Sequence, residues 1–242
     1  MGGKKYKLQL VYYDDESKKD NIASLYTKLV EEDGVDFLLA PYSSTLTLAA
    51  LPVANEKGKL ILSHGGASDS IVEQGYRYIV QVLTPASRYM ETAAELVADE
   101  IPGAKIALIF ENKPFAQKVK EGLKDRISEL GLQVVYEADY EAGTKDFSTF
   151  IQEAINRGAD VLLGGGHYED GKALVGQAHS LGWKLKFLAI LVAPAQPKFK
   201  EELGNDVVNG VAFSSQWREP PTLPRKPRSY GYSGLARLQM SG

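Results

Sequence analysis

The residues of this chain best suited to chemistry are hydroxyls, glycines and aromatics gathered in a few turns. Residues 35–54 read VDFLLAPYSSTLTLAALPVA. The short apolar run Val35–Ala40 has the character of a buried parallel strand, and the apolar segment after the turn has helical character. The Pro-Tyr-Ser-Ser-Thr turn between them sets Tyr42, Ser43, Ser44 and Thr45 at the start of a helix. The first N–H groups of a helix lack internal partners, and its dipole favours negative charge there. Hydroxyls beside such N–H groups can receive a small anion such as a carboxylate. The simpler alternative is that Ser43 or Ser44 only caps the helix.

Other candidate chemistry is thinner. Residues 166–172, Gly-His-Tyr-Glu-Asp-Gly-Lys, have the glycine spacing and lysine of a phosphate loop and follow a predicted strand. However, Ala173 stands where Ser or Thr should bind magnesium, and Glu169 and Asp170 would turn negative charge on a phosphate. A strand-to-helix turn with acids at a helix N-terminus accounts for the same residues. No Gly-x-Ser-x-Gly turn and no His-Glu-x-x-His occurs. Of the three histidines, His64 and His167 follow predicted strand ends, where open α/β sheets bind ligands. His179 falls inside a predicted helix. His167 with Glu169 or Asp170 is a meagre donor set for a metal, so neither metal nor other cofactor is expected. His167 and Glu169 as acid and base would make a small α/β enzyme, a weaker alternative to binding without catalysis.

The elements that must position these residues alternate along the chain. Strands are predicted at Lys7–Tyr13, Val35–Ala40, Lys59–Ser63 and Tyr76–Val82, with helices at Asn21–Glu32 and Leu46–Lys57 and a turn at Gly65–Ser70. Pro85–Glu100 reads as a helix with proline in its first turn. The pattern then restarts: strands Lys105–Phe110, Leu132–Tyr136, Ala159–Leu163 and Lys186–Ile190 alternate with helices Pro114–Leu130, Asp146–Arg157 and Asp170–Leu181. Val207–Phe213 reads as one further strand. Such alternation predicts an α/β protein of two lobes, each a parallel sheet flanked by helices. The expected bounds are 1–84 for the N-terminal lobe, 85–213 for the C-terminal lobe and 214–242 for an irregular tail rich in proline and basic residues.

The turns after the strands collect the interesting side chains. They are Pro41–Thr45, then His64-Gly65-Gly66-Ala67-Ser68, then Asn112-Lys113-Pro114-Phe115, then Gly164-Gly165-Gly166-His167-Tyr168. Glycine and serine let a ligand reach backbone N–H groups, and Tyr, Phe and His wall an apolar group while reaching polar atoms. Two such rims facing across a hinge would make a cleft that binds without a nucleophile.

Composition agrees with a binding role and excludes others. The chain has 242 residues, 44% hydrophobic and 24% charged, with a net charge of −3, so nothing global recruits nucleic acid or an anionic membrane. The absence of cysteine excludes disulfides, thiolate metal sites and cysteine nucleophiles. No run approaches a membrane span, and MGGKKYKLQL lacks the apolar core of a signal peptide. The sequence therefore reads as cytoplasmic or as a mature or trimmed form.

Taken in order, the segments at 10–20, 38–54, 60–82, 105–124 and 143–171 resemble the type I periplasmic solute-binding proteins, specifically the branched-chain amino-acid-binding (Leu/Ile/Val) receptors of ABC transporters. Lys-Asp-Phe-Ser at 145–148 and the tyrosine-aspartate strand end at 12–15 are the most characteristic pieces. The resemblance implies a two-lobed clamp that closes on a small-molecule ligand and is read by a membrane permease, in the periplasm or outside the cell. It implies that Ser44 holds a ligand carboxylate and that Gly65, Gly66, Ala67 and Ser68 form the next contact, with the hydroxyl from Ser68. Phe115 stands where the family commonly has a ligand-contacting Tyr, and His167, beside Tyr168, where another Tyr walls the pocket. The family's acid for the ligand amine is expected just after Lys186–Ile190, where this sequence has Leu191-Val192-Ala193-Pro194. A buried ammonium without a counter-charge costs several kcal/mol. Unless Glu169 or Asp170 swings in, a carboxylate without an amine or a neutral polar ligand fits as well as an amino acid.

Relative to that family the chain reads as incomplete at both ends. Its exposed strand edges predict self-association into a homo-oligomer. A cytoplasmic ligand-sensing regulator of the same fold is the alternative function. A DNA-binding repressor is disfavoured because no basic helix-turn-helix precedes the lobes.

Overall fold

A computed structural model of the chain describes residue 5, residues 7–215 and the backbone of residues 237–238. The described residues divide into two compact units, one ending at Leu83 and one beginning at Thr84.

The first unit contains α1 (Lys19–Glu31), β1 (Leu38–Leu39), α2 (Ser44–Glu56), β2 (Ile61–Ser63), α3 (Ser70–Glu73) and β3 (Ile79–Gln81). Its sheet has the order β1-β2-β3 and is parallel throughout, with Leu38 opposite Ile61 and Ser63 opposite Gln81. Helical spacing puts Ile22 and Tyr26 on one face of α1, where they meet Leu38, Ala50, Leu51, Ile61 and Ile71 in a single core. The Tyr26 hydroxyl donates to the Leu39 carbonyl at 2.6 Å, which anchors α1 to β1.

Two expectations change here. Lys7–Tyr13 is not a strand: it has no ladder partner among the described residues, and Leu8 and Tyr12 are 91% and 79% exposed. Alternation of apolar and polar residues specifies a strand only where a neighbouring backbone completes its hydrogen bonds. The strand expected at Val35–Ala40 contracts to two residues, and Phe37 and Leu39 point to solvent rather than into a core.

The second unit contains α4 (Glu91–Glu100), β4 (Lys105–Glu111), α5 (Pro114–Glu129), β5 (Gln133–Tyr140), α6 (Ser148–Asn156), β6 (Val161–Gly165), α7 (Tyr168–Ser180), β7 (Phe187–Ile190), α8 (Pro197–Leu203), α9 (Asn205–Val208), β8 (Val211–Ala212), β9 (Ser214–Ser215) and β10 (Arg237–Leu238). Its parallel sheet has the order β5-β4-β6-β7-β8. Ile106 to Phe110 of β4 are wholly buried, as a continuous apolar run between two helix layers requires. Gly131 and Gly158, at φ of +66° and +74°, take the left-handed conformation that ends α5 and α6.

The helix expected at Pro85–Glu100 is split into a single 3₁₀ turn at Ala86–Arg88 and α4, because Met90 leaves helical geometry. The strand expected at Val207–Phe213 becomes α9 and β8, separated by Gly210 at φ +81°. Ser214–Ser215 pair antiparallel with Arg237–Leu238, and the rest of the basic, proline-rich segment expected at 214–242 lies outside the described residues. Both units are thus parallel sheets flanked by helices in an α/β fold.

Candidate functional site

In the first unit the chain leaves β1 and turns at Pro41–Ser43 into α2. Ser43 adopts φ 84° and ψ 147° as the N-cap, a region that favours glycine. Two bonds hold it there: its N–H donates to the Gly65 carbonyl at 3.1 Å, and its hydroxyl accepts from Leu46 N–H at 3.3 Å. Capping is therefore the role of Ser43 within this unit.

Ser44 does something else. Only 2% exposed, it accepts the Ala67 and Ser68 N–H groups on its Oγ at 3.2 and 3.0 Å. The Ser63 hydroxyl donates to the Gly66 carbonyl at 2.8 Å, and the Gln81 amide nitrogen donates to the Ala67 carbonyl at 2.9 Å. The Ser68 and Ser70 hydroxyls share a 2.6 Å hydrogen bond. A Cβ on Gly66 would stand 2.5 Å from Thr47 Oγ1, so only glycine lets the loop lie this close to α2. Gly65 also lies close to Tyr42, whose Cα would be 3.1 Å from an added Cβ.

Tyr42, Ser43, Ser44, Gly65, Gly66, Ala67 and Ser68 are therefore brought together at one end of the three-stranded sheet. The expectation of open hydroxyls needs correction. Ser44 and Ser68 are buried, and both serve protein partners. What this corner still offers is donors. The Ser44 and Thr45 N–H groups make no hydrogen bond among the described residues. With both oxygen lone pairs used by Ala67 and Ser68, Ser44 retains its own proton to donate.

In the second unit, Glu111 ends β4 and is 3% exposed. Its carboxylate lies 2.6 Å from His167 Nδ1 and 3.5 Å from Lys113 Nζ. Burial alone would raise the Glu111 carboxyl, but His167 and Lys113 outweigh it and hold the group below the usual range. His167 precedes α7, and its N–H donates to both Asp170 oxygens, at 3.0 and 3.1 Å. The Tyr140 hydroxyl also donates to Asp170. Burial, helped by the nearby charge of Glu111, pushes the Asp170 carboxyl up. Burial and the Asp170 charge push the Tyr140 phenol up as well. Gly166 runs between the two acids, where a Cβ would stand 2.5 Å from Glu111 Cβ and 2.8 Å from Asp170 Oδ2.

Phe115, 8% exposed, meets the Tyr89 ring edge-on at 5.3 Å and lies 6.1 Å from the His167 ring. The structure thus brings Phe115 and His167 together. Tyr168 does not join them: its ring packs on the core under Lys198 Nζ at 3.7 Å, on the side of α8. Asp170 is committed to His167 and Tyr140, so it does not swing toward an amine. After β7, Leu191 and Ala193 are buried, and Val192 at φ 53° sits in a tight turn closed by Ala193 N–H to the Leu191 carbonyl.

Glu111, Tyr140 and Gln81 escaped the sequence reading. A signal was there, since each is a polar last residue of an otherwise apolar or alternating strand. Among the described residues no group of three His, Cys, Asp or Glu is placed to hold a metal, and no helix is long and apolar enough to cross a membrane.

The chain is similar in sequence and fold to known proteins. The leucine-specific-binding protein of Salmonella typhimurium is 24% identical over 220 residues, which are 91% of this chain and 57% of that protein. The chain thus spans little more than half the length of this curated relative. A branched-chain amino acid transporter substrate-binding protein from Streptococcus pneumoniae, solved with isoleucine, has a TM-score of 0.79 at 19% identity, covering 89% of this chain and 61% of that one. An ABC transporter solute-binding protein from Rhodopseudomonas palustris, solved with 3,4-dihydroxybenzoic acid, has a TM-score of 0.76 at 19% identity, covering 86% and 58%. The family model described as periplasmic binding protein matches residues 1–228. With that match across nearly all of its length, the chain belongs to the periplasmic binding protein family.

Proposed function

We propose that this chain binds a small carboxylate-bearing solute without chemical change, using the strand-end residues around Ser44, as the receptor component of an ABC importer outside the cytoplasm. The observation that carries the reading is the Ser44 hydroxyl, buried, saturated as an acceptor and left with a proton to donate beside two helix N–H groups that have no acceptor among the described residues. Each hydrogen bond to a charged group contributes on the order of 1.5–3 kcal/mol, so two or three suffice for useful affinity. Phe115 and His167 form an aromatic pair at the strand ends of the second unit. The two acids described beside His167 are committed: Asp170 caps α7, and Glu111 is paired with His167 and Lys113. The ligand on this reading needs a carboxylate and does not need an ammonium. The Rhodopseudomonas protein supports it, since its ligand is an acid without an amine.

The test is a thermal-shift screen over leucine, isoleucine, 3,4-dihydroxybenzoate and the corresponding primary amides, because a ligand that binds only the native state raises its melting point. Carboxylates should raise it more than their amides. Calorimetry should then show Ser44→Ala weakening the best carboxylate about tenfold or more. Full affinity in Ser44→Ala would refute the reading.

A further inference from the structure

Gln81 closes β3 opposite Ser63, and its side chain reaches across to the Gly65–Ser68 loop. The orientation of its amide is settled by its partner: the Ala67 carbonyl only accepts, so the end facing it at 2.9 Å must be the nitrogen. The other end, Oε1, is removed from solvent and has no hydrogen-bond donor among the described residues. The neighbouring side-chain oxygens that hold this loop are used. Ser44 takes the Ala67 and Ser68 N–H groups, and Ser63 serves the Gly66 carbonyl. A buried carbonyl oxygen without a donor is uncommon and marks a place where something else must supply one. The Ala67 peptide links the two halves of the arrangement: its N–H is held by Ser44, which has a proton to give, and its carbonyl by Gln81, which has an acceptor to fill.

We propose that Gln81 Oε1 is a specificity-determining acceptor that receives an N–H or O–H of the bound solute. The solute then carries a hydrogen-bond donor in addition to its carboxylate, as a hydroxy acid does. The assignment rests on the proposed carboxylate site at Ser44 and narrows its ligand class. The acceptor is neutral, so it selects for a donor without requiring a charged amine.

Two acids that differ only in that donor, 2-hydroxy-4-methylpentanoate and 4-methylpentanoate, are titrated calorimetrically into the wild-type chain and into Gln81→Met, which keeps the length of the side chain and removes its amide. The wild type should bind the hydroxy acid about tenfold more tightly, and Gln81→Met should bind both acids alike. Equal affinities in the wild type, or a preference that persists in Gln81→Met, would overturn the role of Gln81 while leaving the carboxylate site standing. Binding of neither acid to the wild type would overturn the carboxylate reading and this inference with it. A crystal structure of the wild type with the hydroxy acid needs no variant: a ligand oxygen within hydrogen-bond distance of Oε1 is expected. A water molecule at Oε1 in both free and bound forms would contradict the assignment.

Discussion

Ser44 was recognisable by type and position, a serine at the first turn of an apolar helix. Its partners were not, because the two N–H groups it accepts come from residues 23 and 24 positions later in the chain. The same distance hid Glu111, whose partner His167 lies 56 residues on. That pair allows a prediction about pH. His167 and Lys113 hold the Glu111 carboxyl below its ordinary 4.5 despite burial. An acid lowered in the folded state stabilises fully above its unfolded value, and that stability is lost as pH falls through the lowered one. Glu111→Gln should therefore cost about 1–2 kcal/mol in urea unfolding at pH 7, and the gap from wild type should shrink below pH 4.5. Asp170 has the opposite sign. Burial and the charge of Glu111 raise its carboxyl, so its ionisation opposes folding above the unfolded value. Removing the Glu111 charge relieves part of that, which keeps the expected cost moderate. A gap that widens on acidification would contradict the assignment of Glu111 as the ionised partner.

Elements were legible where their own residues determine them. The wholly apolar β4 and the glycine-ended α5 and α6 follow from composition and turn chemistry alone. Lys7–Tyr13 did not follow, since a strand also needs a neighbour, and the long helix expected from Pro85 is split at Met90 into a 3₁₀ turn and α4. That turn is pressed against the middle of α5. A Cβ on Gly122 would stand 2.0 Å from the Ser87 carbonyl oxygen. Gly to Ala inside an isolated helix stabilises by about 1 kcal/mol. Here the clash with backbone outweighs that gain, and Gly122→Ala should lower the unfolding free energy by roughly 1–3 kcal/mol. A stabilised Gly122→Ala in urea titration would mean that α5 and the turn are not packed this closely.

At the scale of the whole molecule, alternating strands and helices revealed the α/β class, and the order of several weak segments pointed to the family that residues 1–228 match. Individual site residues were less secure. Of the ten named from the sequence, seven gather at one end of the first sheet, two meet in the second unit, and Tyr168 packs elsewhere. Neighbouring residues in a turn share a position in the chain but need not share a direction, and Tyr168 follows His167 around the start of α7 to the side facing Lys198. The claim on which the function depends is that the solute is held at the Ser44 corner of the first unit. Hydrogen–deuterium exchange with and without the carboxylate giving the largest thermal shift measures this directly. Protection should rise together at residues 42–46 and 65–68. Unchanged exchange at both segments, or protection only elsewhere in the chain, would contradict it.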